Sequence, residues 1–302
     1  MALEPDLKKR LRSDRAEALI TDAETAATMI QDGMAVGISG FTNAGYPKVV
    51  PHALAEQIKN GRKVKIALYS GASVGPEVDT ELTEAGAIAK RIPYQTNSAL
   101  RKAINDGKVG YVDMHLGRSP EFVAAGHVRK PDIALVEALA ITEDGHLIPT
   151  TSVGNTPTYV AEADAVIVEI AMSKPLALEG MADVYMCQKP PCRQPIPLTH
   201  PGDRIGTPYI PCGWDKIKAI VISDRSDLTR PLAAISEDSK KIGQNIIRFF
   251  EDEVAAGRLG KSLLPIQSGV GSVANAVLYG LRDSAFEGLT CYTEVIQDSM
   301  LD

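Results

Sequence analysis

Short, nearly continuous apolar runs alternate along most of the chain with longer segments in which apolar residues recur every third or fourth position. The runs predict buried strands, and the segments between them predict helices that cover a sheet. Alternation of this kind is typical of an open, doubly wound α/β sheet. The clearest predicted strands are residues 34–38, 64–69, 132–137, 165–170 and 217–222.

Polar residues mark where several helices begin. Thr21 and Glu24 form a capping-box pattern before one helix, and Ser236 precedes another that Gly257 would end. The second helix is expected to bury four apolar side chains: Ile242, Ile246, Phe249 and Phe250.

Glycine-rich loops follow two of the predicted strands, at residues 39–48 and 70–76, and a further polar glycine loop spans residues 150–155. Ligands of open α/β sheets collect at the carboxyl ends of the strands, where the first two loops would lie. Such turns also serve plain chain connectivity, so the loops alone leave binding and structural roles open.

Residues 264–294 predict a strand, a glycine turn, a helix and a second strand that ends on Glu294. Gly269 and Gly271 bracket the turn, and Ser272 is the expected helix cap. Backbone N–H groups at this helix start suit anionic oxygen. By position alone, Glu294 fits a strand-end carboxylate that caps a helix or pairs with a cation at least as well as it fits a reactive group.

The length of 302 residues predicts two domains, residues 1–225 and 226–302, with a boundary in the polar, turn-rich residues 224–231. The second domain would hold only about one helix and one βαβ unit. Since a two-stranded sheet is rarely stable alone, we expect further residues or a second chain to complete it.

Composition narrows the class of partner. A net charge of −6 and a pI near 5.5 argue against nucleic-acid binding, and no apolar run is long enough to predict a membrane span. The N-terminus lacks a secretory signal pattern, so a cytoplasmic location is expected. The chain has four cysteines, Cys187, Cys192, Cys212 and Cys291. Their spacing fits no zinc-binding pattern, so we expect free thiols and no bound metal.

Four motifs resemble one known family. They are SGFTNAGYPK at residues 39–48, IPTTSVGN at 148–155, QSGVG with VANAV at 267–277, and TEVIQD at 293–298. This pattern resembles the acetyl-CoA hydrolase/transferase family of class I CoA-transferases, and within it the succinyl-CoA:acetate CoA-transferases. The resemblance implies two related open, mostly parallel α/β domains, the second truncated here, with the active site between them.

By this resemblance, Glu294 forms a glutamyl-CoA thioester and the backbone N–H of Val270 supplies half of an oxyanion hole. The implied border of the CoA thioester is Ile266, Gln267, Ser268, Gly269, Val270 and Gly271. Ser299 stands where the family usually has glycine.

The implied activity is transfer of CoA from a short acyl-CoA, such as succinyl-CoA or acetyl-CoA, to a carboxylate such as acetate. Coenzyme A is then a substrate, with no tightly bound cofactor, and a homodimer is expected. The resemblance places the second oxyanion donor and most CoA contacts in a later region, so residues 1–302 alone should be nearly inactive.

Other interpretations remain open from the residues. Acetyl-CoA hydrolase activity would need the same groups. Gly269-x-Gly271-x-x-Ala274, with Glu294 about twenty residues later, also satisfies a dinucleotide fingerprint in which the acid binds ribose. A non-catalytic, metabolite-sensing α/β domain is a further alternative.

Overall fold

A computed structural model describes residues 4–229, 234–296 and Met300. The chain divides into two compact units. Unit 1 comprises Met1–Ile196 and Arg204–Thr229, and unit 2 comprises Pro197–Asp203 and Arg230–Asp302.

Unit 1 is built on an eight-stranded sheet whose neighbouring strands are all parallel. Its order is β1-β10-β9-β6-β2-β3-β4-β5, while β7 and β8 form a separate antiparallel pair. The strands are β1 (Ile20–Thr21), β2 (Ala35–Gly37), β3 (Ile66–Gly71), β4 (Ile88–Pro93), β5 (Gly110–Tyr111), β6 (Ile133–Ala138), β7 (Ala140–Ile141), β8 (Leu147–Ile148), β9 (Ala165–Ala171) and β10 (Ile217–Ser223).

Helices join the strands, so the prediction of an open, mostly parallel α/β fold is confirmed. The α-helices of the whole chain are α1 (Pro5–Arg10), α2 (Ala23–Thr28), α3 (Val49–Lys59), α4 (Leu82–Glu84), α5 (Ser98–Asn105), α6 (Ser119–Ala124), α7 (Thr156–Glu162), α8 (Glu237–Ala255) and α9 (Ser272–Arg282). Shorter 3-10 turns span Asp14–Leu19, Leu116–Arg118 and Leu176–Leu178, and a π-helical turn spans Glu77–Glu81.

Both faces of the sheet are covered, because alternate residues of one strand enter two different cores. In β6, Ile133 and Leu135 pack with α2, α3 and α5, whereas Ala134 and Val136 pack with α6 and α7. This double burial explains why the central strands read as continuous apolar runs.

The order of the sheet reverses between β2 and β6. From β2 the chain proceeds through β3 and β4 to β5, and from β6 it proceeds through β9 to β10. Such a switch point is the usual ligand crevice of an open α/β sheet.

The capping-box prediction was wrong in its register. Asp22, one residue after Thr21, is the N-cap of α2, and its carboxylate accepts a hydrogen bond from the Thr25 N–H. Aspartate is as good an N-cap as threonine, and with Asp22 in this position the helix begins one residue later than the pattern predicted.

In unit 2, Ser236 caps α8 as predicted and Phe250 packs into the apolar cluster of this unit, but two of the four side chains expected to be buried are exposed. Gly243 and Ile247 are buried, whereas Ile242 and Phe249 are 43% and 56% exposed. A glycine sets this face: a Cβ on Gly243 would lie 2.7 Å from the Ala276 carbonyl oxygen of α9. Close backbone approach, which apolar periodicity does not register, decides how the helices pack.

The predicted strands of unit 2 are absent from the described residues of that unit. Ile266 and Cys291 instead pair in an isolated parallel bridge. One bridge without neighbouring strands gives too little pairing to extend a sheet.

Candidate active site

Two segments of unit 2 come together around this bridge. The Ile266 N–H donates to the Thr290 carbonyl at 2.9 Å, and the Tyr292 N–H donates back to the Ile266 carbonyl at 2.9 Å. The bridge therefore sets the segment before the glycine turn beside the segment that leads to Glu294.

Two residues beyond the Ile266–Cys291 bridge, side-chain hydrogen bonds hold the same two segments together. The Thr293 hydroxyl donates to the Ser268 carbonyl at 3.0 Å and accepts from the Ser268 N–H at 3.3 Å. The Gln267 amide also donates to the Ser268 carbonyl, at 2.8 Å. Glu294 is therefore the next residue after a direct contact with the glycine turn, and it is exposed.

The glycine turn leads directly into α9. Gly271 is the N-cap at φ +137°, a conformation that favours glycine, and the helix begins at Ser272. The prediction that Ser272 caps the helix was wrong, because its hydroxyl accepts instead from the Ser239 hydroxyl of α8 at 3.2 Å. Val270 is 66% exposed at the helix entrance.

An apolar cavity of about 510 Å³ lies beside the turn within unit 2. Side chains of α8, α9 and the segment before the turn line it, among them Phe250, Leu263, Val277 and Leu281. Ile266, Gln267, Ser268 and Gly269 also border this cavity. Four of the six residues expected to border the CoA thioester thus line one cavity, and one of them, Ser268, bonds to Thr293, the neighbour of Glu294. Gln297, Asp298 and Ser299, which follow in and after the last motif, lie outside the described residues.

The glycine loops of unit 1 pack against one another. A Cβ on Gly45 would lie 2.4 Å from the Ser152 hydroxyl, and one on Gly75 would lie 1.9 Å from the Tyr46 ring. The Asn155 N–H donates to the Ser39 hydroxyl at 2.8 Å. Of the two roles left open for these glycines, the contacts support the structural one.

Charged side chains fill the switch point of unit 1. The buried Lys48 ammonium contacts the Glu137 carboxylate, lies 2.8 Å from Asp227 and donates to the Tyr46 carbonyl at 2.8 Å. Lys174 lies 2.5 Å from the other oxygen of Asp227. Burial opposes protonation of Lys48, but the charges of Glu137 and Asp227 outweigh it and raise the Lys48 pKa.

Glu169, on strand β9 beside β6, caps the start of α3. It is in register with Glu137, and its carboxylate accepts from the N–H groups of Lys48, Val49 and Val50 at 2.7, 3.1 and 2.7 Å. Burial raises the Glu169 pKa to about 7, against the lowering effect of these bonds. Sequence reasoning missed this cluster. A signal existed, since each glutamate interrupts an otherwise apolar strand.

Among the described residues, no cluster of three His, Cys, Asp or Glu side chains could hold a metal ion. All four cysteines are free thiols, and Cys187 and Cys192 are exposed. No described helix is long and apolar enough to cross a bilayer.

Comparison with known proteins decides the family. The sequence profile of the acetyl-CoA hydrolase/transferase N-terminal domain matches residues 5–240. The chain belongs to the acetyl-CoA hydrolase/transferase family. The predicted resemblance is thereby confirmed.

Relatives of this family extend the likeness beyond the profile match. A succinyl-CoA:acetate CoA-transferase of Clostridium kluyveri is 53% identical over 97% of this chain and 55% of its own length. An acetyl-CoA hydrolase of Kluyveromyces lactis is 37% identical over 98% of this chain and 58% of its own length. The chain therefore spans little more than half the length of these relatives.

A solved structure shares the fold. RipA from Yersinia pestis superimposes with a TM-score of 0.68 over 95% of this chain and 58% of that chain, at 18% identity. The profile match ends at residue 240, before the glycine turn.

Proposed function

We propose that the protein transfers CoA from a short acyl-CoA to a carboxylate such as acetate, with Glu294 as the covalent relay. The observation that supports the proposal is the contact between Thr293, the residue before Glu294, and Ser268, the residue before the glycine turn at the start of α9. The 53% identical relative, a succinyl-CoA:acetate CoA-transferase, supports the same reaction.

The reaction begins when a Glu294 carboxylate oxygen attacks the acyl-CoA carbonyl carbon. The C–S bond breaks, CoA leaves as the thiolate, and an acyl-glutamyl anhydride remains. The thiolate then attacks the glutamyl carbonyl and expels the first carboxylate, which leaves glutamyl-CoA. A second carboxylate reverses these steps and carries CoA away.

Each attack creates a tetrahedral oxyanion, which the turn is suited to stabilise. We propose that the Val270 N–H donates to this oxygen, with residues 266–271 bordering the thioester. Gly271 supports the proposal because it is the N-cap of α9, and the N-terminus of a helix favours negative charge. One oxyanion donor contributes about 3 kcal/mol to lowering the barrier.

Hydrolysis of acetyl-CoA is the second candidate function. The exposure of Glu294 favours it, as does the 37% identical relative, which is an acetyl-CoA hydrolase. Water that reaches the anhydride or the thioester converts transfer into hydrolysis. Measurement of free CoA release with and without acetate separates the two activities.

We further propose that a segment equivalent to the remainder of the relatives completes the site, with the second oxyanion donor and most CoA contacts. Residues 1–302 alone should then transfer CoA poorly or not at all. The full protein is proposed to be a cytoplasmic homodimer with no nucleic-acid or membrane partner, which sedimentation and cell fractionation test.

Replacement of Glu294 by alanine tests the proposed function in the full-length protein. Transfer should be abolished while the unfolding midpoint is retained, because the exposed side chain contributes to chemistry and not to packing. Glu287→Ala, at another exposed glutamate of the same unit, is the matched control and should remain active. Saturable NADH binding without competition by CoA would instead support the dinucleotide alternative.

A further inference from the structure

The Thr293 hydroxyl bonds to residues on both sides of the candidate site. It exchanges hydrogen bonds with Ser268, which immediately precedes the glycine turn. The same oxygen lies 3.2 Å from the Val295 carbonyl, so one hydroxyl contacts the turn segment and the residue after Glu294. Glu294 itself lies at a bend between them.

These bonds replace backbone pairing at the point where the two segments separate. If the parallel ladder at Ile266 continued, the Ser268 N–H would donate to the Tyr292 carbonyl, and the Ser268 carbonyl would accept from the Glu294 N–H. The Thr293 hydroxyl serves both Ser268 groups instead. The ladder can therefore end here, with the turn leaving on one side and Glu294 on the other.

We infer that Thr293 is a positioning residue, whose hydroxyl fixes the separation between the Glu294 carboxylate and the glycine turn. The inference rests on the proposed function of Glu294. Threonine suits this role because its branched Cβ restricts χ1, so the hydroxyl direction is well defined. Covalent steps are sensitive to small misplacements of the attacking group, so loss of this link should slow chemistry more than binding.

The test compares Thr293→Val, which keeps the shape and removes the hydroxyl, with Thr293→Ser, which keeps the hydroxyl, in the full-length protein. Thr293→Val should lower kcat roughly 10- to 100-fold with KM for acyl-CoA changed less than about 3-fold, because binding groups remain. Thr293→Ser should restore kcat to within about 5-fold of the parent. The rate of covalent labelling of Glu294 should follow kcat.

Two results would overturn the inference. One is a Thr293→Val variant whose kcat and rate of Glu294 labelling equal those of the wild type. The other is equal loss in the valine and serine variants, which would point to packing by the threonine methyl group.

Hydrogen exchange of the Ser268 amide tests the link even if a variant fails to fold. Protection in the wild type is expected, and free exchange there would contradict the hydrogen bond. Failure to label Glu294 in the wild type would count against the proposed function alone, since the exchange measurement does not depend on activity.

Discussion

The Lys48 ammonium lies 2.8 Å from the Asp227 carboxylate and also contacts Glu137, all at the switch point of the sheet in unit 1. These three side chains form a buried charge network in unit 1, and the stability of the folded state is expected to depend on its balance.

Lys48→Met should lower the free energy of unfolding by about 3–5 kcal/mol, because it leaves the buried Glu137 carboxylate without its cation and removes one of the two cations beside Asp227. Urea denaturation at neutral pH measures the effect. Lys59→Met is the control, since Lys59 pairs with Glu56 on the surface and its removal should change stability little. Equal urea midpoints for the two variants would show that the buried ion pairs of Lys48 add no more stability than a surface pair.

Glu169 should make stability depend on pH. An unfolded glutamate titrates near pH 4.5, whereas the folded Glu169 has its pKa raised to about 7 by burial. Between pH 4.5 and pH 7 the folded state therefore keeps a proton on Glu169 that the unfolded state has lost. The contribution of Glu169 to the free energy of unfolding is complete below pH 4.5 and is lost as the pH rises through about 7.

Glu169→Gln removes this titration. The stability advantage of the wild type over the variant should shrink by on the order of 3 kcal/mol from pH 5 to pH 8. Denaturation curves of both proteins across this range measure it. An advantage that stays constant or grows with pH would contradict the raised pKa.

Gly75→Ala should destabilise the protein by about 1–3 kcal/mol, because the added methyl group would overlap the buried Tyr46 ring. The control is Gly117→Ala, where an added Cβ meets no atom within 4 Å. Thermal unfolding compares them. If both variants melt at the same temperature as the parent, the loops do not interlock as described.

Val270→Pro should reduce kcat by about 10²–10³-fold, because proline lacks the N–H proposed to stabilise the oxyanion. Val270→Ala keeps that N–H and truncates an exposed side chain, so it should retain most activity. Steady-state kinetics of both variants, checked by unfolding midpoint, make the comparison. Similar activity in the two variants would remove Val270 from the oxyanion hole.

The sequence predicted the sheet of unit 1 well because double burial leaves a strong apolar signal in strands such as β6 and β9. It predicted the buried face of α8 poorly, since Gly243 packs there through the absence of a side chain. Hydrophobic periodicity weighs side chains and is blind to close backbone contacts.

The candidate site shows the same division. Motifs identified the glycine turn and Glu294, and the resemblance assigned their chemistry. They did not reveal that Thr293 bonds to Ser268 or that Glu169 caps α3, because both contacts join residues distant in sequence. Their polar side chains were visible, but their partners depend on the fold.

Covalent trapping at Glu294 tests the central claim most directly. The full-length protein is incubated with acyl-CoA, reduced with borohydride and digested, and the peptide that contains Glu294 is analysed by mass spectrometry. We predict that this glutamate is reduced to the alcohol only when acyl-CoA is present, and that Glu287 is unchanged. An unmodified Glu294 in an enzyme that is transferring CoA would contradict the account.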